Sequence, residues 1–518
     1  MSLRSTFIAK SPARVSLWCE TFFLYMKKDT YNHVLKYTGL LGGVQVFYIL
    51  MSIVRNKFTA MFIGAWGIGL VETYNRAVDL IANMTNFGIG FSAVRRLSEL
   101  HEQGKEEAIK MYIRLIRSWA LVTALFGTLI CLLTAPLLSY FTLSDFHTTK
   151  GFVLVAPMVG ILAITGGEVA ILKGLQRLKQ MAAISALGAL VTMLITIPAY
   201  WLLELHGVIP VLLSTTAAVC LLNLYATTRD YPYRVGLRSM KLMKSGGHLL
   251  KLGGAYILAG TIGSGAELIV RSYVTNSTSL NRAGLYAVGV TLIVSYARLA
   301  FVAMDADFFP RLSAAGDDRK RRNNAINRQI DVLVLLMAPF LIAFALFLPI
   351  IVRVLYTPEF LPVVSMVLCG LSFMYFKAVY TPIAYLPLAR GHSRLYLLME
   401  FLYNVVFTVL VIVGYHVRGI VGAGIALSLA NLFDLINISL VYARVYDFRF
   451  ERRTLLRCIV QYALLVAGIG AATVANWGVK LLLGLPVLGL SLWLAWNLLR
   501  KKTNIVDKIK SIVRRKKQ

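Results

Sequence analysis

Fourteen apolar runs, each close to the ~20 residues that a helix needs to cross the hydrocarbon core of a bilayer, divide this chain almost from end to end. They cover roughly 37–60, 68–92, 115–140, 151–172, 181–203, 207–228, 251–274, 284–309, 329–349, 360–388, 395–415, 419–443, 455–475 and 481–499. Lipid offers no partner to a backbone N–H or C=O, so only helices and closed barrels span it. Barrel strands would show ~10-residue alternating segments instead. The expected fold class is therefore an all-α polytopic membrane protein with about fourteen transmembrane helices. Composition agrees, at 58% hydrophobic and 15% charged residues, against roughly 25% charged in soluble domains. Pro136, Pro157, Pro198, Pro339 and Pro382 are candidate kinks.

The formal charge of +30 invites a nucleic-acid reading, but its distribution marks topology. With the N-terminus in the cytoplasm, 43 of the 54 Lys and Arg fall on inner connections and their flanking helix ends, 7 on outer ones and 4 within spans. Such asymmetry sets orientation by the positive-inside rule. We therefore expect cytoplasmic N- and C-termini in the cell (inner, cytoplasmic) membrane, and no nucleic-acid partner. The basic tail can also touch anionic lipid head groups. Residues 1–36 read as a cytoplasmic or interfacial lead-in and not a signal peptide, because no small-residue cleavage site follows their short apolar run.

Outer connections such as 61–67, 204–206 and 416–418 are short, so function is expected among the spans. The five cysteines lie far apart without CxxC or metal-ligand spacing, which supports neither a disulfide framework nor a metal site. No GxxxxGK[ST] loop and no Ser-His-Asp grouping is present, and no enzyme is expected.

Two stretches repeat. Gly42-Gly43, Ile53-Val54-Arg55 and Arg96-Leu97-Ser98 recur in order as Gly253-Gly254, Ile269-Val270-Arg271 and Arg311-Leu312-Ser313. Arg55 to Arg96 is 41 positions and Arg271 to Arg311 is 40. Transporters are often built from such internal repeats.

Charges within spans carry the functional signal, since each costs about 2.5–3.5 kcal/mol at the bilayer centre on insertion scales. Arg298 and Lys377 have no carboxylate one turn away, so each needs a partner on another helix, water or a ligand. Arg271 has Glu267 one turn before it, and Arg76 lies between Glu72 and Asp79, so intrahelical pairs are open to both. Arg55 lies near the outer end of its helix and can snorkel. Asp79, Glu267 and Asp434 are candidate ion-coupling carboxylates or fixed counter-ions; Glu168 and Glu400 are further buried acids. Tyr375 and Tyr380, beside Lys377, are candidate sugar contacts, with plain helix packing as the alternative.

Residues 36–100 resemble the opening of bacterial polysaccharide flippases. The resemblance rests on Arg55-Asn56-Lys57-Phe58, Ile63 to Leu70, and Phe87-Gly88-Ile89-Gly90. Gly284-Leu285-Tyr286, Phe309 to Ser313 and Gly174-Leu175-Gln176-Arg177 are similar to later family motifs, although Ala65 stands where the family usually has proline. That superfamily also holds the multidrug and toxic-compound extruders and the lipid II flippase. The resemblance implies two pseudo-symmetric six-helix lobes around a central cavity, plus two C-terminal helices. The expected division is 1–36 lead-in, 37–228 N-lobe, 229–250 basic connector, 251–443 C-lobe, 444–499 helix pair and 500–518 basic tail.

It also implies a function: translocation of polyprenyl-diphosphate-linked oligosaccharide repeat units for O-antigen or capsule assembly, by alternating access. Arg76, Arg271, Arg298, Lys377 and Arg55 would form the cationic cavity. No cofactor is implied, and a proton or sodium ion is a candidate coupling ion. Expected partners are the lipid-linked oligosaccharide, membrane lipids, a polysaccharide polymerase and a chain-length regulator. A cation-coupled multidrug extruder, a lipid II flippase and a polysaccharide polymerase are the alternatives.

Overall fold

A computed structural model describes residues 12–86, 88–236, 247–294, 301, 308, 312, 316 and 318–502. The described residues form helices and connections with no strand. Helix α1 (Pro12–Thr85) is broken at Gly64, whose φ of +60° and ψ of −168° leave the helical region. Only glycine adopts that conformation without Cβ strain, so the break turns one long helix into two spans. The second span stops at Thr85, short of the expected residue 92. Gly88, with φ +63°, starts a separate helix α2 (Ile89–Glu102). This helix buries Ala93, Leu97 and Leu100 in a small core with Ile113, Ile116 and Ile171.

The N-lobe continues with α3 (Glu106–Leu143), α4 (Thr149–Val155), α5 (Pro157–Gly174), α6 (Leu178–Leu203) and α7 (Val208–Thr228). Pro157 begins α5, and α4 with α5 forms one span of 26 residues. Helix α8 (Gly247–Ser277) opens the C-lobe. It is followed by α9 (Leu280–Val294), α10 (Arg319–Leu355), α11 (Val363–Gly370), α12 (Ser372–Ala384) and α13 (Leu386–Ala389). Helix α14 (Ser393–Tyr446) breaks at Arg418-Gly419 into two spans, as α1 does at Gly64. Helices α15 (Arg452–Ala472) and α16 (Trp477–Lys502) pack on α10 as the terminal pair.

Among the described residues, eight helical stretches are long and apolar enough to cross a membrane, and two of these contain two spans each. Leu133, Trp201 and Leu482 are 72%, 66% and 73% exposed, a surface that suits lipid and not water. The protein is a multi-pass membrane protein.

Each lobe has its own core, the N-lobe around Tyr74, Phe152 and Tyr200 and the C-lobe around Ile330, Leu346 and Met374. The lobes meet where α1 lies against α8 and α9. Lipid tails are as apolar as leucine, so small residues, not hydrophobicity, allow helices to approach closely. A Cβ on Gly284 would collide with the carbonyl oxygen of Ala65, and one on Gly69 with that of Leu280. Lys57 donates to the carbonyls of Arg353 and Tyr356, and Asn276 donates to the carbonyl of Phe141 at 2.9 Å. The seam is thus closed at the end that holds Gly64.

Candidate functional site

Two helix faces meet along the molecular axis. On α1, Glu72, Arg76, Asp79 and Asn83 follow one another at helical spacing, with Asn86 just past the helix end; on α8, Gly260, Gly263, Ser264, Glu267 and Arg271 do the same. Their charges pair across the lobes. Arg76 Nη1 lies 2.5 Å from Glu267 Oε2, while its own-helix partners Glu72 and Asp79 are 3.7 and 3.8 Å away. Arg271 Nη2 lies 3.7 Å from Glu72 Oε2. The intrahelical spacing thus understated the arrangement, since the shortest contact of Arg76 comes from the opposite lobe.

Arg271 is 4% exposed, and its guanidinium carbon is 6.0 Å from the centre of the Tyr286 ring. Its Nε and Nη1, with Nε of Arg76, are buried donors without a hydrogen-bond partner. An unmet buried donor costs roughly 1–3 kcal/mol, more when charged. The cluster therefore holds spare donor capacity. It also carries two arginines against three carboxylates, so it is formally acidic by one charge.

One turn beyond the cluster, Asn83 donates to Ser264 Oγ at 2.6 Å. Below that contact opens a chamber of ≈930 Å³ between the lobes, lined by Asn83, Asn86, Lys173, Gly260, Ser264, Tyr396 and Glu400 among others. Lys173, at the end of α5, was missed in the sequence because it reads there as an inner-connection charge. On the far side of Glu72 are two smaller cavities, of ≈310 and ≈430 Å³, that share Arg55 and Thr192. Arg55 is not among the residues lining the inter-lobe chamber; the smaller of its two cavities is bordered by Ala287, Val288, Thr291 and Tyr356 of the C-lobe as well as by N-lobe helices.

Lys377 sits within the C-lobe, 5.7 Å from the Phe373 ring and in electrostatic reach of Glu400 and Asp434. Tyr380 donates to Asn431 Oδ1 at 3.1 Å, and Asn431 donates to Tyr403 Oη at 3.3 Å, which ties α12 to α14. The sugar-contact role expected of Tyr375 does not fit its position. It is 2% exposed, lies with its ring 5.3 Å from that of Tyr462 and donates to the Cys458 carbonyl at 2.6 Å. Tyr380, 8% exposed, is likewise held by its own lobe. Arg298 lies outside the described residues.

Glu168 has a fixed partner. Arg117 binds it through two hydrogen bonds of 2.8 and 3.1 Å, and both side chains are 1% exposed. Thr227 donates to the same carboxylate at 2.6 Å, and Arg117 also donates to the carbonyls of Tyr231 and Pro232. Asp331 on α10 and Arg457 on α15 form a further bridge, between the C-lobe and the terminal helix pair. Cys131, Cys220, Cys369 and Cys458 are free, and no group of metal-ligating side chains occurs among the described residues.

The family model described as "Polysaccharide biosynthesis protein" matches residues 69–365, more than half of the chain. The chain belongs to the polysaccharide biosynthesis protein family. No curated protein sequence matches this family member. Solved structures share its fold. The lipid II flippase MurJ in an inward closed conformation superimposes with a TM-score of 0.65 at 13% identity, over 87% of this chain and 97% of that one. An inward-facing multidrug resistance MATE family transporter of the MOP superfamily gives 0.62 at 14% identity, over 81% and 96%. A MOP superfamily transporter from Pyrococcus furiosus, whose binding pocket is described as reversed in polarity, gives 0.55 at 14%, over 82% and 94%. The family member thus has the two-lobed fold of these proteins.

Proposed function

We propose that this chain moves polyprenyl-diphosphate-linked oligosaccharide repeat units from the inner to the outer leaflet for surface polysaccharide assembly. The observation that carries this reading is the inter-lobe cluster of Arg76 and Arg271, whose buried donors are not all used, one turn past the Asn83–Ser264 contact that borders the inter-lobe chamber. Membership of a polysaccharide biosynthesis family supports the choice of cargo. A diphosphate oxygen is a charge-assisted acceptor that suits guanidinium donors in a fork geometry. The prenyl tail would stay in lipid while the head group enters the chamber.

In this state the chamber is open at the α2 end and the seam is closed at the Gly64 end. With the positive-inside orientation, that state faces the cytoplasm. Arriving diphosphate would compete with Glu267 and Glu72 for the two arginines, loosen the cross-lobe pairs and so free the lobes to rock. An inside-negative potential then drives about two negative charges outward, on the order of 4–5 kcal/mol per 100 mV. The displaced Glu267, together with Asp79 and Asp434, would be available to a coupling proton or sodium ion. Arg298 and Lys377 stay in the reading as further cations of the path. Residues 37–228 and 251–443 would be the moving lobes.

The test is complementation of a flippase-deficient strain. Arg76→Ala and Arg271→Ala, each verified in the membrane, should abolish polymer export, with partial rescue by Lys. Full export by both alanine variants would overturn the proposal. The acidic balance of the cluster favours a second reading, a cation-coupled extruder of cationic compounds. In that case deletion would raise drug susceptibility and leave polymer export unchanged.

A further inference from the structure

Helix ends at the closed end of the seam are capped reciprocally. The last carbonyls of an α-helix have no partner within it and form the negative end of its dipole. Lys57 of α1 reaches the end of α10 in the C-lobe, where its ammonium donates to the carbonyl of Arg353 at 2.7 Å and to that of Tyr356. Asn276 of α8 does the converse. Its amide donates at 2.9 Å to the carbonyl of Phe141, in the last turn of α3 in the N-lobe. Each lobe thus caps a helix that belongs to the other. The turn after α10 adds a third contact, since Glu359 Oε2 lies 3.4 Å from where a Cβ on Gly64 would stand.

These bonds differ in kind from the other contacts that join the lobes. The approaches of Gly69 to Leu280 and of Gly284 to Ala65 are steric and neutral. The pairs Arg76–Glu267 and Arg271–Glu72 are charged, but they belong to the cluster for which an anionic cargo would compete. Lys57 and Asn276 do not line the chamber, and their acceptors are backbone carbonyls of the opposite lobe. Both contacts are exposed, so water replaces each partner when the lobes part. That exchange keeps the net worth of a hydrogen bond modest, and larger where the donor is charged. Bonds of this strength favour a closed end without making it permanent, unlike the buried Arg117–Glu168 bridge. The terminal pair packs on α10, so Lys57 also ties α1 to the helix that carries α15 and α16.

We propose that Lys57 and Asn276 form a two-part latch that holds the lobes together at the Gly64 end and sets how often that end opens in the absence of cargo. Lys57 is the stronger half, because its charge meets the negative end of a helix dipole. The proposal rests on the reading in which the lobes rock about the seam, and it is independent of what the cargo is.

The test is pulsed electron–electron double resonance on the full chain in lipid nanodiscs without cargo, with the five native cysteines replaced by alanine. Two pairs of exposed positions take the spin labels: Leu205→Cys with Val417→Cys across the Gly64 end, and Gln103→Cys with Ser393→Cys across the chamber end. In this parent the Gly64-end pair should show mainly its shorter distance. Lys57→Met should raise the ratio of longer to shorter distance about tenfold, and Asn276→Leu about threefold. Lys57→Arg should stay near the parent. Lys150→Met, which removes another exposed cation at the start of α4, should match it. In the latch variants the chamber-end pair should shorten as the other lengthens, a reciprocal change that unfolding does not produce. Parent-like distances at both ends in Lys57→Met/Asn276→Leu would overturn the latch. So would lengthening at both ends, which would show that the two residues only hold the fold together. Neither outcome bears on the arginine cluster, whose test is polymer export, so the latch and the cargo reading are judged separately.

Discussion

Arg55 and Arg271 occupy matching places in the internal repeat, each closing an Ile-Val-Arg on the first helix of its half, yet their surroundings are opposite. Arg271 is buried at the lobe boundary, paired with Glu72 of the other lobe and set over Tyr286. Arg55 faces hydroxyl-lined space and forms no ion pair among the described residues. Equivalent positions in two repeats thus need not serve equivalent ends. What separates them is the α1–α8 contact, which brings carboxylates within ion-pair distance of one arginine and leaves the other beside hydroxyl and amide side chains.

Arg117 gives that comparison its upper limit, because both its side chain and that of Glu168 are 1% exposed and fully engaged. Removing one partner of a buried pair costs about 3–5 kcal/mol. Arg117→Met should therefore lower the thermal stability most of all, as read by melting in nanodiscs. Arg271→Met should cost less, on the order of 2 kcal/mol, since Glu72 is 28% exposed and keeps Arg76 as a partner. Overpacking the seam with Gly284→Leu should cost about 1–3 kcal/mol and push α9 off α1.

A double-mutant cycle sharpens the contrast directly. Arg271→Gln with Glu72→Gln should show a coupling above ~0.5 kcal/mol, whereas Arg55→Gln with Glu72→Gln should be additive within ~0.3–0.5 kcal/mol. The Arg271–Glu72 coupling should vanish in the Gly284→Leu background, because the pair exists only while the lobes touch. The smallest effect on stability belongs to Arg55→Met, within ~0.5 kcal/mol, since no ion pair is broken. A loss of 2 kcal/mol or more there would reveal a structural partner and erase the distinction between the two arginines.

Several features were legible from the sequence. The breaks at Gly64 and at Arg418-Gly419 fall in connections already marked as short, and the lipid-facing leucines lie in the expected runs. Other features were hidden for identifiable reasons. Glu267 and Arg271 sit at i and i+4, which advertises an intrahelical pair, so nothing in the spacing points to Arg76 and Glu72 as cross-lobe partners. Arg117 lies at the edge of a span and reads as an orientation charge, although its neighbour in space is Glu168, 51 residues away. Tyr375 and Tyr380 look available in an aromatic-rich stretch, yet α15 and α14 cover them.

By itself the sequence determined that this chain is a bundle of membrane-crossing helices with charges placed among them. The reason is local: hydrocarbon accepts only segments that satisfy their own backbone, and that demand is written into run length and hydropathy. Which charge meets which, and whether an arginine lines an open cavity or is locked to a carboxylate, was decided by the tertiary structure. Those outcomes depend on the seam where glycines let α1 and α9 touch, and Coulomb energies that change steeply with a few ångströms of separation and with local dielectric are set only once the lobes have closed.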